Sequence, residues 1–235
     1  MKLKSINSSV QTQTTNLINR FFYIIYMKRK TKIFLGIFIP ILLIGSGIGG
    51  FVLWSIWPAT WSTDPPVLEF PVENIDVIHA LGGYGDTGLG FFHNGIDFGC
   101  NESVNIIASC DVRVIEIKTW MYATDPDRWQ TSVRMRTTFG YILEIAFESW
   151  ALNESFGNLQ KDALQLKIGQ KVQQGEVLGE LLYHGSGTHI HYMIRNNRDS
   201  ICPYQFFSTN AKAIFDPLWI QYGNGVYVCN DTSLF

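Results

Sequence analysis

The longest apolar run of the chain lies near its N-terminus. No charged side chain occurs from Ile33 to Pro58, and the run reads IFLGIFIPILLIGSGIGGFVLWSIW. A helix that crosses a bilayer core needs about 20 apolar residues, whereas the apolar region of a secretory signal has about 7–15. The pattern therefore predicts a transmembrane helix over residues 33–57 that stays in the mature protein as an anchor.

Beyond this run the apolar residues fall into short segments that favour strands. VNIIAS, VRVIEI, VRMRTT, GYILEIAFE and THIHYMIR are rich in β-branched residues, and several alternate apolar with polar positions. Glycines at 169 and 175 interrupt the segment LKIGQKVQQGEVLGELL and predict tight turns. No stretch outside the membrane segment shows a 3.6-residue apolar period over three turns. The sequence therefore predicts an all-β domain, an antiparallel sandwich or barrel-like sheet.

The domain boundaries follow from composition. Residues 58–66, PATWSTDPP, contain three prolines and read as a linker. Residues 67–235 form one domain without internal repeats, and residues 1–32 form a basic tail. The segment that begins at Met27, MKRKTKIFLGIF, is also typical of the start of a membrane-targeted protein, so translation from Met1 or from Met27 stays open.

The charges predict how the chain is oriented across a membrane. Seven Lys or Arg residues and no acidic residue precede the apolar run, whereas eleven Lys or Arg and all twenty acidic residues follow it, a net charge of −9. Because basic segments stay in the cytoplasm, the N-terminus is expected inside and residues 58–235 outside a single-pass anchor in the cell membrane. An acidic outer domain argues against a nucleic-acid partner, which needs a basic face.

The four cysteines, at positions 100, 110, 202 and 229, all lie in the outer domain. An oxidising exterior permits two disulfides in any of three pairings. Reduced, buried cysteines remain the alternative. No C-x-x-C pair occurs, which argues against a structural zinc–thiolate site.

Two short motifs hold three of the five histidines. The first is an H-x-x-x-D motif, His93 to Asp97 in FFHNGIDFG, and the second is an H-x-H motif, His189 and His191 in GTHIHYMIR. Alternate residues of a strand point to the same side, so His189 and His191 are expected to face one point. Two adjacent imidazoles are unusual in a core, because each brings a donor and an acceptor that need partners.

A divalent zinc ion accounts for this combination of side chains. Zinc binds imidazole nitrogen and carboxylate oxygen tetrahedrally, and three protein ligands leave a position for water. With His93, Asp97 and one histidine of the pair as ligands, the other histidine is free to handle protons. Alone, each motif is a weak signal, but together in strand-like settings they predict a catalytic zinc site.

These motifs resemble those of the M23, or lysostaphin/LytM-like, zinc metallopeptidases, whose hallmark is H-x-x-x-D followed by H-x-H. The segments FPVENIDVIHALGGYGDTGLGFFHNGIDF, VNIIASCDVRVIEI and LKIGQKVQQGEVLGEL also resemble the family's opening segment, its following strand pair and its glycine-punctuated hairpin. The resemblance covers residues 66–206, nearly the whole outer domain.

The resemblance implies a site and a substrate class. It implies that His93, Asp97 and His191 bind Zn²⁺ and that His189 is catalytic, positioning the zinc-activated water or stabilising the charged intermediate. It further implies a groove for an extended peptide, such as a peptidoglycan cross-bridge. The expected activity is that of a membrane-anchored zinc metalloendopeptidase.

One departure from the family pattern concerns a further catalytic histidine, which family members carry in a Y-x-H-L segment ahead of the hairpin. The matching stretch here is Phe156 to Leu159, so Asn158 stands in the place of that histidine. Asn158 is therefore also expected to be a catalytic residue, because its amide can donate a hydrogen bond to an oxyanion, although it cannot be protonated at neutral pH. His184 could substitute, although a surface loop position is favoured for it, and His79 has no matching role.

Three hypotheses follow. The first is an active zinc endopeptidase, which rests on the complete ligand set. The second, motivated by Asn158, is a catalytically weakened binding or scaffold module that retains zinc. The third is a membrane-anchored β-domain whose histidines are core residues, which would leave polar rings buried at about 1–3 kcal/mol each if unpaired.

Overall fold

The computed structural model describes residues 57–86, 91–122, 128–225 and 227–230. The compact unit to which they belong spans Trp57–Phe235. The predicted basic tail, and the predicted transmembrane helix except for Trp57, lie outside the described residues. Within the described ranges, no helix is both long and apolar enough to span a membrane.

Thirteen strands occur in the described part of the chain. In chain order they are β1 Ile78–Gly82, β2 Tyr84–Asp86, β3 Phe92–His93, β4 Ile96–Cys100, β5 Val104–Ile107, β6 Val112–Tyr122, β7 Arg128–Arg136, β8 Tyr141–Ala151, β9 Lys171–Val172, β10 Val177–Leu181, β11 His189–Asn196, β12 Asp199–Ile201 and β13 Cys229–Asn230.

The main sheet is antiparallel and has the order β1-β4-β11-β8-β7-β6-β9, with β12 added at the end of β11. Two small sheets flank it: β10 pairs with β5, and β2 lies between β13 and β3. The domain is thus mostly β with an antiparallel main sheet, as the strand-rich pattern predicts.

Alternation along β11 separates a packed face of the main sheet from a polar one. Ile190, Tyr192 and Ile194 are fully buried in the core. Burial of each such large side chain contributes about 1.5–3 kcal/mol. His189 and His191 occupy the alternate positions and therefore lie on the opposite face, where the side chain of each is still 12% exposed.

Two helices depart from the all-β prediction. Helix α1 spans Glu154–Asp162 and helix α2 spans Thr209–Tyr222. Both begin at capping side chains, since Asn153 accepts a hydrogen bond from the Ser155 N–H and Ser208 accepts one from the Ala211 N–H. Helix α1 was missed because it is short and mostly polar. In α2 the buried positions, Ala211 and Phe215, are four residues apart, a helical spacing that escapes notice beside Pro217.

The glycine-punctuated segment before β11 does not fold as a two-stranded hairpin. Strand β9 pairs with β6, whereas β10 pairs with β5. Gly175 turns the chain between them with φ of +85°, a conformation that residues with a Cβ adopt rarely. The turn predicted from the glycines is therefore present, but its two strands enter different sheets.

The proline-rich segment predicted as a linker lies against the turn between β7 and β8. The N–H groups of Ala59 and Thr60 donate to the Thr137 carbonyl, and the Phe139 N–H donates to the Ser62 carbonyl. The Trp61 ring lies 5.0 Å from the ring of Phe139. Residues 58–66 thus make ordered contacts with the sheet.

The cysteines form one disulfide, between Cys202 and Cys229, with the Cα atoms 5.8 Å apart. Cys100 and Cys110 are free and buried, and burial raises the pKa of each thiol to about 12. Of the alternatives left open by the sequence, one pair is therefore bridged and the other pair is reduced.

Candidate metal centre

Three neighbouring strands bring the two histidine motifs together. Strand β4 pairs with β11 so that His191 lies opposite Asp97. His93 ends β3, and only Asn94 and Gly95 separate it from β4. As a result, the ligating atoms of His93, Asp97 and His191 all lie within 4.8 Å of one another.

Asp97 is the centre of this cluster. One carboxylate oxygen lies 3.1 Å from Nε2 of His93, and the other lies 2.6 Å from Nδ1 of His191. The two imidazole rings are 4.7 Å apart between centroids. Residues almost a hundred positions apart in sequence thus present three ligand atoms to one small volume.

The partners of the outer ring nitrogens decide which nitrogen of each ring faces Asp97. Nδ1 of His93 donates to the Gly83 carbonyl at 2.5 Å, and Nε2 of His191 donates to the Asn94 side-chain oxygen at 2.8 Å. When an outer nitrogen carries the proton of its ring, the inner nitrogen can offer a lone pair to a cation. Without a cation, the inner nitrogens instead donate to the Asp97 carboxylate. Outward hydrogen bonds of this kind orient histidine ligands in metal sites.

The donor set therefore fits a divalent cation. It consists of two imidazole nitrogens and one carboxylate oxygen, the ligands that zinc prefers when a fourth position stays open. The outward hydrogen bonds of the two rings suit ligation through their inner nitrogens, and the three side chains are partly exposed to an open cavity. A buried structural ion pair would need neither feature.

The charges of the cluster are strongly coupled. Burial alone would raise the pKa of Asp97, but hydrogen bonds from His191 and His93 outweigh it and hold the pKa well below its usual range. Burial alone would lower the pKa of His93, but the hydrogen bond and charge of Asp97 outweigh it and raise that pKa. Without a cation, the Asp97 carboxylate thus favours the protonated form of His93.

His189 lies beside the cluster without belonging to it. Its Nδ1 donates to the Gly187 carbonyl at 2.7 Å, which directs Nε2 toward the centre. There Nε2 lies 3.8 Å from a carboxylate oxygen of Asp97 and 3.5 Å from one of Glu148. The histidine that the sequence predicts to be catalytic therefore has a nitrogen facing the space next to the predicted ligands.

Glu148 is a residue that the sequence reasoning missed. It lies on β8 directly opposite His189 in the antiparallel pairing. Burial raises its pKa despite the nearby imidazoles. The segment YILEIAFES does place Glu144 and Glu148 on one face by alternation, but only the register with β11 puts Glu148 beside His189.

The centre lies in an open cavity of about 530 Å³ on the polar face of the main sheet. The floor is formed by side chains that alternate outward from β11, β8, β7 and β6. Phe91 and Phe92, both half exposed, line one side. We call this cavity, with its continuation along the sheet, the groove.

The remaining predicted residues lie away from the cavity lining. Asn158 is exposed on α1 and does not line the cavity. On the side of β11 away from β4 lies β8, whose Glu148 is opposite His189. The role predicted for Asn158 stays a prediction. His184 is exposed in the loop before β11, with its ring 4.1 Å from that of Phe156, and His79 is exposed on β1.

Comparison with known proteins gives one family match. The sequence profile of peptidase family M23 matches residues 91–203, a segment that contains all three residues of the cluster as well as Glu148 and His189. No curated protein matches the chain in sequence.

Several solved structures resemble part of the chain. Helicobacter pylori Csd3 has 23% identity over 61% of this chain and 34% of its own, with a TM-score of 0.40. A zinc containing peptidase from Vibrio cholerae has 16% identity over 57% and 38%, with a TM-score of 0.41. Lysostaphin has 18% identity over 64% and 54%, with a TM-score of 0.39. The chain thus spans between about a third and about a half of these structures.

Proposed function

Residues 91–203 belong to peptidase family M23, and on that premise we propose that the chain is a zinc-dependent endopeptidase. The observation that carries the proposal is the arrangement at the metal centre. His93, Asp97 and His191 present three candidate ligand atoms within 4.8 Å of one another, while a fourth side chain, His189, faces the same space. A site that only binds a metal ion would not need a non-ligating histidine such as His189 facing the ion.

The side chains around the centre supply the remaining chemistry. Bound Zn²⁺ would lower the pKa of a water molecule toward about 7 and polarise a carbonyl oxygen. The Gly187 carbonyl keeps the proton of His189 on Nδ1, so Nε2 is the atom that accepts a proton. Glu148, 3.5 Å away, stabilises the imidazolium that results and keeps the ring turned toward the centre.

The shape of the groove supports a peptide substrate in an extended conformation. The metal centre lies on its floor, and the groove continues along the sheet past the centre. A chain bound there can pass across the centre without ending at it, which suits cleavage within a chain. We propose a cross-bridge peptide of a bacterial cell wall as the substrate.

The test is a metal and cleavage assay on the purified chain. Metal analysis should find about one zinc per chain, and a pool of wall-type peptides should be cleaved with a chelator-sensitive rate. His191→Ala should lose both zinc and cleavage. His79→Ala is the matched control, because His79 is exposed outside the cavity, and it should retain both.

Two other outcomes would change the assignment. Zinc bound by the wild type without turnover on any peptide would indicate the weakened binding module. Cleavage that survives in both His189→Ala and His191→Ala would refute the proposed centre altogether.

The location of the domain is a further part of the proposal. We propose that residues 33–57 anchor the chain in the cell membrane, with the N-terminus in the cytoplasm and residues 58–235 outside. The Cys202–Cys229 disulfide supports this, because disulfides persist in oxidising compartments. Protease added to intact cells should digest the outer domain, and its protection in intact cells would contradict this orientation.

A further inference from the structure

The groove continues from the metal centre into a second pocket of about 350 Å³. Cross-strand pairing defines its floor. At the metal centre, His191 on β11 pairs with Ala146 on β8, which pairs in turn with Ser132 on β7. Two residues further along the strands, the corresponding row consists of Met193, Glu144 and Arg134. The two pockets share four lining residues and therefore form one continuous surface. The shared residues are Trp120, Ser132, Glu144 and Arg195.

The far pocket differs from the metal centre in charge. Its lining contains three basic side chains, those of Lys118, Arg134 and Arg195, and two carboxylates, those of Glu116 and Glu144. The lining therefore carries a net charge of +1. Around the metal centre the charged lining consists instead of acidic residues, Asp97, Glu144 and Glu148, with Arg195 at the boundary. The groove is therefore acidic at the centre and basic beyond it.

The ion pair of Arg195 with Glu144 uses only some of the N–H donors of its guanidinium group. Its Nε lies 3.3 Å from a carboxylate oxygen of Glu144, which also lies 3.6 Å from Nε of Arg134. Within the part of the chain that the structure describes, Glu144 is the only ion-pair partner of Arg195. A guanidinium has five N–H donors, so the two terminal nitrogens remain for a ligand. The Arg195 side chain is 30% exposed, which gives a ligand access to it.

We propose that Arg195, supported by Arg134, recognises a carboxylate of the peptide substrate. The inference rests on the proposed function, and it names a substrate class: a peptide with an acidic group on one side of the scissile bond. Arginine binds carboxylates through paired hydrogen bonds, which a neutral amide cannot replace. The carboxylate comes either from the C-terminus of the peptide or from an acidic side chain.

The spacing sets where that carboxylate lies. His191 and Arg195 are four residues apart on the same face of β11, a separation of about 13 Å along a strand. An extended peptide has the same rise per residue. The acidic group therefore belongs about four residues from the bond over the metal centre.

Binding can be measured separately from cleavage. The full chain carrying His189→Ala keeps its proposed metal ligands and serves as the binding background. Fluorescein-labelled glycine- and alanine-based peptides that span both pockets are compared in three forms by anisotropy: free C-terminal acid, C-terminal amide, and amide with a glutamate near that end. At least one acidic form should bind about tenfold more tightly than the plain amide, the contribution of one charge-assisted hydrogen bond.

Substitutions assign the preference to Arg195. Arg195→Gln, added to the His189→Ala background, should bring the ratio of affinities for the acidic and amidated peptides close to one. Arg195→Lys keeps the charge but not the paired N–H donors of the guanidinium, so it should retain part of this preference. Arg198→Gln is the matched control, since Arg198 is exposed in the turn after β11 and lines neither pocket. It should leave the ratio unchanged. Zinc content reports that each variant is folded.

The outcomes separate this inference from the proposed function. Equal affinity for acidic and amidated peptides, no binding of either form, or a ratio that persists in Arg195→Gln would overturn the subsite. Cleavage by the wild type together with any of these results would leave the peptidase standing. If acidic peptides bind more tightly in a way that depends on Arg195 but no peptide is cleaved, the subsite is supported and the chain is a peptide-binding module rather than a peptidase.

Discussion

Each imidazole of the centre donates one N–H to an acceptor outside it, and this fixes the direction of the other nitrogen. The acceptors are backbone carbonyls for His93 and His189, and the Asn94 amide oxygen for His191. Two of these nitrogens, those of the proposed ligands His93 and His191, face Asp97, and the third faces Glu148. The hydrogen bonds thus agree with the proposed division of the three histidines into two ligands and one proton carrier.

The role of Glu148 can be tested against that of Asn158. Glu148→Gln keeps the size of the side chain but removes the charge that stabilises protonated His189, so kcat should fall about 10²-fold. Zinc content should not change, because Glu148 is not one of the proposed ligands. Asn158→Ala, on the exposed side of α1, should leave kcat unaltered. A larger loss in Asn158→Ala than in Glu148→Gln would reverse the two assignments.

The coupling of Asp97 with His93 predicts how pH acts on the metal-free protein and on metal binding. The raised pKa of His93 means that its pairing stabilises the fold below the ordinary value of 6.5 and that this contribution is lost as pH rises through the folded pKa. The lowered pKa of Asp97 means that its contribution is lost as pH falls below its ordinary range.

Because a cation must displace the proton of His93, zinc affinity should rise with pH through the His93 pKa. Zinc titrated by calorimetry near pH 6.5, in buffers of different ionisation enthalpy, should show net release of protons. Zinc binding without proton release at that pH would contradict the coupling.

At the scale of elements, the short connection between β3 and β4 sets the position of the centre. A Cβ added at Gly95 would lie 2.7 Å from Cε1 of His191 and 2.8 Å from the Tyr192 carbonyl oxygen. The residue after Asn94 must therefore lack a side chain for β4 to approach β11 so closely. The spacing of the H-x-x-x-D motif thus serves packing as well as ligation.

Gly95→Ala should displace the His191 ring and lower zinc affinity about 10–100-fold, the range found when ligand orientation is disturbed. Competition with a chromogenic chelator measures this affinity. Gly225→Ala is the control, because a Cβ there would meet nothing closer than 3.8 Å. Equal zinc affinity in the two variants would show that His191 does not need the space.

At the scale of the whole molecule, the disulfide links Cys202, the residue after β12, to the small sheet beside the candidate metal centre. Cys229 lies in β13, which pairs with β2, and β2 in turn pairs with β3 at His93. Between the two cysteines, α2 packs its Phe215 ring against Phe98 in the core. One covalent bond thus ties the last elements of the chain to the strand that carries a proposed ligand.

Removal of this bond should destabilise the fold and loosen the centre. The bridged residues are 27 positions apart, and a loop of that length corresponds to about 3–4 kcal/mol of stability in the chain-entropy description. The double variant Cys202→Ala/Cys229→Ala should show this loss in chemical denaturation, together with weaker zinc binding. A thiol reductant should destabilise the wild type but not the double variant. If the double variant unfolds at the wild-type denaturant concentration, the bridge is not what stabilises these elements.

Much of the fold was readable from local patterns. Alternation in VRVIEI, VRMRTT, GYILEIAFE and THIHYMIR predicted the strands that became β6, β7, β8 and β11. The same alternation placed His189 and His191 on one face. The helices were harder to predict, because α1 is held by its cap and by contacts with β6 and β7 rather than by an apolar stripe.

The sequence by itself determined which side chains share a face of each strand, because successive Cβ atoms alternate by covalent geometry. The sequence also contains the two histidine motifs and the segment, residues 91–203, that the profile of peptidase family M23 matches. Only the tertiary structure decided that β8 lies beside β11 with Glu148 opposite His189, that Gly83 and Asn94 orient the rings, and that Arg195 continues the groove. Strand order and register depend on packing between segments far apart in the chain, and no local spacing encodes them.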